Sequence, residues 1–227
     1  SNLTSLTLHE GVTSIGDFAF YGCYNMNDIT LGDNIKSIGK SAFYSCKNIT
    51  SVDLSNATNL VSIGDAAFYE CYNVNEIILP ASLEYIGSYA FDSNCKVVTM
   101  TLPCRNKGFV YLFGSNYFHV PKSLVTVNVI GDIPNNYFST CESISYINID
   151  GATSIGEKAF IYCTNLKNVS IPNTVTSIGC NAFDGCISIQ EAEIPNGVKV
   201  LGDGAFNGCT ALESVIIPES VTTIGNT

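Results

Sequence analysis

Ten cysteines and two histidines are the residues of this chain with the widest chemical reach. Thiols bridge, hold zinc or attack carbonyls, and imidazoles ligate metals or carry protons. Seven of the cysteines, Cys23, Cys46, Cys71, Cys141, Cys163, Cys186 and Cys209, recur at a spacing near 23 residues. Zinc sites draw on paired local ligands. One thiol per 23 residues, with only His9 and His119 beside them, does not supply such pairs. A histidine-based hydrolase needs its imidazole beside a nucleophile and a carboxylate. Neither His9 nor His119 has a glycine-flanked serine or a recognisable cysteine partner, and no Gly-x-x-x-x-Gly-Lys phosphate loop occurs. The chain therefore reads as non-catalytic, with no cofactor and no metal.

The cysteines belong to a longer repeat. Ile-Gly-x-x-Ala-Phe-x-x-Cys appears as Ile15-Gly16…Ala19-Phe20…Cys23, Ile38-Gly39…Ala42-Phe43…Cys46 and Ile63-Gly64…Ala67-Phe68…Cys71. It returns as Ile155-Gly156…Ala159-Phe160…Cys163, Ile178-Gly179…Ala182-Phe183…Cys186 and Leu201-Gly202…Ala205-Phe206…Cys209. Ile86-Gly87…Ala90-Phe91 is a seventh copy, with Asn94 at the cysteine position and Cys95 next to it. Two degraded copies, Phe113-Gly114…Phe118…Pro121 and Ile133-Pro134…Phe138…Cys141, fill the middle. A period in this range marks a solenoid, in which each repeat contacts mainly its neighbours.

Each repeat has two halves. After the cysteine come apolar triplets such as Ile49-Val52-Leu54 and Leu166-Val169-Ile171, whose last pair has the period of a half-buried strand. Pro80, Pro103, Pro172, Pro195 and Pro218 end these strands, because proline cannot donate to a ladder. The Gly-x-x-Ala-Phe-x-x-Cys half has helical spacing, and Asp17, Asp65, Ser88 and Asp203 stand where an N-cap belongs. The expected coil is one short strand, a turn and one brief helical turn. About nine such coils make an α/β solenoid, with a parallel sheet on the concave face and a column of Phe and Cys behind it.

This placement decides the cysteine chemistry. Column thiols in successive coils sit ~4.8 Å apart at the backbone, close enough to bridge. Their side chains point the same way rather than at each other, which disfavours a disulfide. They are expected to be buried, reduced thiols packed as small hydrophobes. Serine at Cys46, Cys163 or Cys186 is expected to cost ~1–3 kcal/mol by burying an unpaired hydroxyl. Cys104 and Cys180 fall outside the column and are the expected exposed thiols.

The stretch Ile171-Pro172-Asn173-Thr174-Val175-Thr176-Ser177-Ile178-Gly179-Cys180-Asn181-Ala182-Phe183-Asp184-Gly185-Cys186 resembles the consensus of the BspA-like leucine-rich repeats. The resemblance runs through the whole chain and weakens from about Cys95 to Tyr137. It implies one leucine-rich repeat domain over 1–227, irregular at about 95–137. It also implies a secreted or cell-surface module for protein binding or adhesion, since the family occurs on bacterial and protozoan parasite surfaces. Its implied partners are host or microbial surface proteins, or matrix proteins. The family carries no shared catalytic residues. A passive spacer that presents another domain is the alternative.

Charge narrows the partners. Twenty acidic against ten basic residues give a net charge of −10, which argues against nucleic acid and anionic membrane surfaces. No segment reads as directly inserting in a membrane. The chain starts just before the strand of Leu3, Leu6 and Leu8 and stops after Ile224-Gly225, in mid-repeat. Without polar caps it reads as part of a longer protein, with end-to-end self-association of its open ends as an expectation.

Three surfaces compete as binding sites. The irregular middle holds the chain's only arginine, Arg105, together with Lys107, Phe109 and Tyr111. Its Phe spacing is 27 residues from Phe91 to Phe118 and 20 to Phe138, which places the inserted residues in Pro103–Tyr111. Insertions in repeat proteins form loops that often bind, although a merely solvated loop fits equally. There Arg105 and Lys107 would steer an acidic partner, and Phe109 or Tyr111 would anchor it. The second surface is the strip of Tyr21, Tyr44 and Tyr69, flanked by Tyr24 and Tyr72. Its rings either form an exposed patch or only cover the adjacent turn. The third is the sheet face, polar and mildly acidic, with Tyr146 as its one aromatic. It reads either as solvated or as a weak site.

Overall fold

The computed structural model describes residues 2–104 and 108–226. They form two compact units, residues 1–124 and 125–227, each a stack of parallel strands. In the first unit Ser5–Thr7 pairs with Asp28–Thr30, and Ser51–Asp53, Glu76–Ile78 and Thr99–Pro103 follow one another in a second ladder. In the second unit Thr126–Ile130, Tyr146–Asp150 and Asn168–Ser170 pair in order, and Glu191–Glu193 pairs with Ser214–Ile216. Every pairing is parallel, with one coil between partners. Val52 faces Ile77 and Ile77 faces Met100, so each strand contributes one apolar side chain to a common layer. No described helix is long and apolar enough to cross a membrane.

A second set of ladders runs through the Ile of the repeat's Ile-Gly pair and the residue before it. Ser14–Ile15, Ser37–Ile38, Ser62–Ile63 and Tyr85–Ile86 form one in the first unit. Ser154–Ile155, Ser177–Ile178, Val200–Leu201 and Thr223–Ile224 form its counterpart in the second. Strands of two residues are too short to show a period, so the sequence gives no signal for them.

The expected helical turns are not formed. Where they were placed, the backbone makes tight turns, and the helical segments among the described residues are two 3-10 turns, Phe109–Leu112 and Tyr117–His119. The physical reason lies in left-handed residues, two in most coils. Phe18 and Gly22 have φ of 58° and 69°, and Lys158 and Tyr162 have 53° and 57°. A residue at positive φ breaks a right-handed helix wherever it occurs. The backbone then bonds in alternation. Ala19, Tyr21 and Cys23 donate to carbonyls three residues back, while Phe18, Phe20 and Gly22 donate to Lys40, Ala42 and Tyr44 in the next coil. Half of the donors that a helix would satisfy internally thus bind one coil to the next.

The acidic residues after the glycine serve the same end. They do not cap their own turn, as expected of them. Asp17 Oδ1 accepts from Lys40 N at 2.7 Å, Asp65 Oδ1 from Ser88 N at 2.7 Å, and Asp203 Oδ1 from Asn226 N at 2.8 Å. The core is a file of parallel rings. Phe43 and Phe68 stack at 5.2 Å with 5° between their planes, and Phe160 and Phe183 at 5.2 Å with 6°. Such pairs contribute about 0.5–1.5 kcal/mol each beyond the area they bury.

The irregular copy falls into a different register from the one its sequence implies. Phe91 N donates to Leu112 O, as Phe68 N donates to Ala90 O one coil earlier. Leu112-Phe113 therefore takes the Ala-Phe place, and Phe113 packs on Phe91 at 6.2 Å. Phe118 is 75% exposed and stands outside the core file. The extra residues lie after Phe113, around the Tyr117–His119 turn, and not in Pro103–Tyr111. Phe113 precedes a glycine and has the bulk of the Ile of Ile-Gly, so the sequence alone sets it one element too early.

Candidate protein-binding site

The thiols sit as the column requires. Cys46, Cys71, Cys141, Cys163 and Cys186 are almost wholly buried and unbridged. Cys46, Cys71, Cys163, Cys186 and Cys209 each have an acceptor in the preceding coil. Cys46 Sγ donates to Phe20 O at 3.2 Å, Cys163 Sγ to Phe138 O at 3.0 Å, and Cys186 Sγ to Phe160 O at 3.1 Å. Burial pushes the Cys46 thiol up to about 12 and those of Cys95 and Cys209 to about 11. At neutral pH they are protonated and inert. Cys104, expected to be exposed, is buried, and Cys180 is half-buried. Native-state labelling should reach Cys180 first and the column last.

The carbonyl acceptor also corrects the expected cost of serine. A hydroxyl at position 163 would not be unpaired, since Phe138 O lies within its reach. Cys163→Ser should therefore cost about 1 kcal/mol, the scale of one exchanged hydrogen bond, in a urea titration. A loss above about 3 kcal/mol would show that the acceptor is not used.

Of the expected loop site, Phe109 and Tyr111 fall among the described residues. Arg105 and Lys107 lie outside the described residues. Phe109 is fully buried and meets Phe113 edge-on at 5.5 Å, so it cannot anchor a partner. Tyr111 is exposed, and its carbonyl accepts from Tyr89 N. On the sheet face of the second unit Tyr146 is exposed beside Asn168 and Thr126, at the register read from the repeat. Asn148 donates to Asn128 at 2.8 Å, and the polar side chains there partly satisfy one another.

The tyrosines of the first unit do come together. Tyr21 and Tyr44 stack at 4.9 Å with 12° between planes. Tyr44 and Tyr69 follow at 5.6 Å and 38°, and Tyr69 meets Tyr89 at 6.2 Å and 72°. Phe18 extends the file from Tyr21 at 6.0 Å. Phe18, Tyr21 and Tyr24 are each about half exposed, at 52%, 52% and 51%. The inner ring of Tyr44 is fixed by a carboxylate. Tyr44 Oη donates to Glu70 Oε1 at 3.0 Å and Ser45 Oγ to Glu70 Oε2 at 2.9 Å, while Glu70 N donates to Asp92 Oδ2. Burial, and the bond to Glu70, push the Tyr44 phenol up to about 12. Burial also raises Tyr69 and Tyr72. A parallel file runs beside the first, with Lys47 Nζ between the Tyr24 ring at 5.6 Å and the Tyr72 ring at 5.9 Å.

Three members of this surface were missed in the sequence: Phe18, Tyr89 and Lys47. The period itself carries the signal. Phe18, Ser41, Ala66 and Tyr89 share one place in successive coils, and Lys47 follows Cys46 as Tyr24 and Tyr72 follow theirs.

The repeat signature, now placed on its strands and turns, has a direct match. The BspA type leucine rich repeat region matches residues 1–124 and 131–227, with six copies. The chain belongs to the BspA-type leucine-rich repeat family. Among solved structures, a leucine-rich repeat protein from Bacteroides ovatus is similar at 26% identity and a TM-score of 0.58, over 98% of this chain and 57% of that one. The chain thus spans little more than half the length of that protein. A leucine rich cell surface protein from Faecalibacterium prausnitzii is similar at 23% identity and a TM-score of 0.42, over 99% of this chain and 79% of that one. The pneumococcal vaccine antigen PcpA shows 22% identity and a TM-score of 0.40, over 95% and 57% of the two chains. No curated protein matches. In this BspA-type array the tyrosine face gathers Phe18, Tyr21, Tyr24 and Tyr89 as exposed aromatic side chains of the first unit.

Proposed function

We propose that this BspA-type array is a non-catalytic binding or adhesion module, secreted or held at the cell surface. In this reading its first unit engages a host, matrix or microbial surface protein through the tyrosine face. The observation that carries the reading is the ring file from Phe18 to Tyr89, exposed at Phe18, Tyr21 and Tyr89 and half-buried at Tyr44 and Tyr69. Tyrosine is enriched among the residues that dominate protein interfaces, because it supplies large area and a polar tip at low entropic cost. Here the rings are already ordered by stacking and by Glu70, so little side-chain freedom is lost on binding. The surface placement is supported by family membership.

The test is a panel of immobilised matrix and microbial surface proteins, probed with the wild-type chain and with Tyr21→Ser/Tyr69→Ser. Saturable binding that falls at least about tenfold in the double variant is the expected result, on the scale of an interface hot spot. Binding unaffected by the double variant would remove the tyrosine face from the account. A well-folded chain that binds nothing on the panel would favour a spacer.

A further inference from the structure

We propose that the groove between Tyr44, Tyr69 and Tyr89 takes the lysine or arginine side chain of a basic peptide segment. This deepens the reading of the tyrosine face and rests on it. The groove arises from the changing tilt of the rings. Tyr21 and Tyr44 lie nearly parallel and leave no space between them, whereas Tyr69 and Tyr89 stand at 72°. The splay opens a shallow groove of about 370 Å³ lined by Tyr44, Asp65, Ala66, Tyr69, Ser88 and Tyr89. Ala66 forms its floor. It occupies the place that Phe18 and Tyr89 fill with rings in other coils, and a ring there would close the groove.

The lining selects a cation. Aromatic faces attract ammonium and guanidinium groups, and a carboxylate beside them adds charge. Asp65 is exposed, and its Oδ1 is taken by the Ser88 amide, which leaves Oδ2 for a ligand. Among the described residues Lys40, one coil away in the same column, forms no ion pair with Asp65. The same face already shows the chemistry in miniature, since Lys47 holds its ammonium between the rings of Tyr24 and Tyr72. The net charge of −10 favours encounter with a basic partner over an acidic one.

The probe is an acetylated, amidated Gly-Gly-Lys-Gly-Gly peptide, with its glutamine counterpart as control, followed by tyrosine-ring NMR shifts. The lysine peptide should shift Tyr44, Tyr69 and Tyr89 and bind about fivefold more tightly than the glutamine one, the scale of a cation–π contact. Tyr69→Ala should lose about the same factor. Asp65→Asn should weaken binding and flatten its salt dependence. If Tyr69→Ala fails to fold, Tyr89→Ala gives the same reading from an exposed position. Equal binding of the two peptides, or shifts confined to Tyr24 and Tyr72, would overturn the proposal. A panel protein that binds the tyrosine face while the lysine peptide does not would overturn it too, and would leave the proposed function standing.

Discussion

Alanine at Gly64 or Gly179 should destabilise the chain by about 3 kcal/mol or more, while alanine at Gly16 should be tolerated. From Gly39 onward, the glycine of each Ile-Gly pair lies against the backbone of the coil before it. A methyl group on Gly64 would meet Lys40 N at 2.5 Å, and one on Gly179 would meet Glu157 N and the Gly156 carbonyl carbon at 2.6 Å. These obstacles are main chain, so no side chain can swing aside. The coils would have to separate where Gly64 N donates to Ile38 O and Gly179 N to Ile155 O, both at 2.8 Å. The same methyl on Gly16 would meet nothing within 4 Å. There the only effect is the lost freedom of the unfolded chain, which stabilises by about 0.4–1 kcal/mol. Urea midpoints of the three variants check this. Equal effects at all three positions would mean that the close approach of coils is not what the glycine is for.

Stability should hold up to about pH 9 and then fall steeply. The column thiols have folded values above their unfolded ones, about 12 for Cys46 and about 11 for Cys95 and Cys209, because burial penalises the thiolate. Cys71 and Cys163 are raised in the same way. The sign follows from proton counting. Above pH 9 the unfolded chain has released these protons and the folded chain has kept them, so rising pH favours unfolding. The stabilising contribution is complete below the unfolded value and disappears as pH climbs toward the folded one. Each thiol removes up to about 1.4 kcal/mol per pH unit in that window, so three together steepen the fall by up to about 4 kcal/mol per pH unit. Tyr44, raised to about 12, adds to the loss. Urea titrations between pH 7 and 11 should show a flat region and then this slope. Cys163→Ser should lower the slope by about one proton. Stability unchanged to pH 11 would contradict the burial of the column.

The repeat made much of this legible before any coordinates. Its period placed Phe43 on Phe68 and Phe160 on Phe183, and it set the strand register, including Ser51 opposite Glu76 and Tyr146 opposite Asn168. Local conformation was harder to read. Ala19 to Cys23 has helical spacing, yet Phe18 and Gly22 adopt positive φ, and the turn looks outward to the next coil for its hydrogen bonds. The gain is an inter-coil bond that exists only in the stack, which a reading of one coil by itself cannot see. Phe109 is hidden for a related reason. It sits in a polar, irregular stretch, but its ring is fully buried and meets Phe113 edge-on. The tyrosine face was half visible. The period put Tyr21, Tyr44 and Tyr69 in one file, but their tilt, the groove at Tyr89 and the lysine between Tyr24 and Tyr72 depend on packing.

The claim that the first unit presents its tyrosine face to a partner is tested most directly by hydrogen exchange on the chain with and without a protein recovered from the panel. The account predicts slowed exchange in the turns around Ala66–Glu70 and Ser88–Asp92, with the sheet face around Tyr146 unchanged. Protection confined to that sheet face, with both turns exchanging as in the free chain, would contradict it.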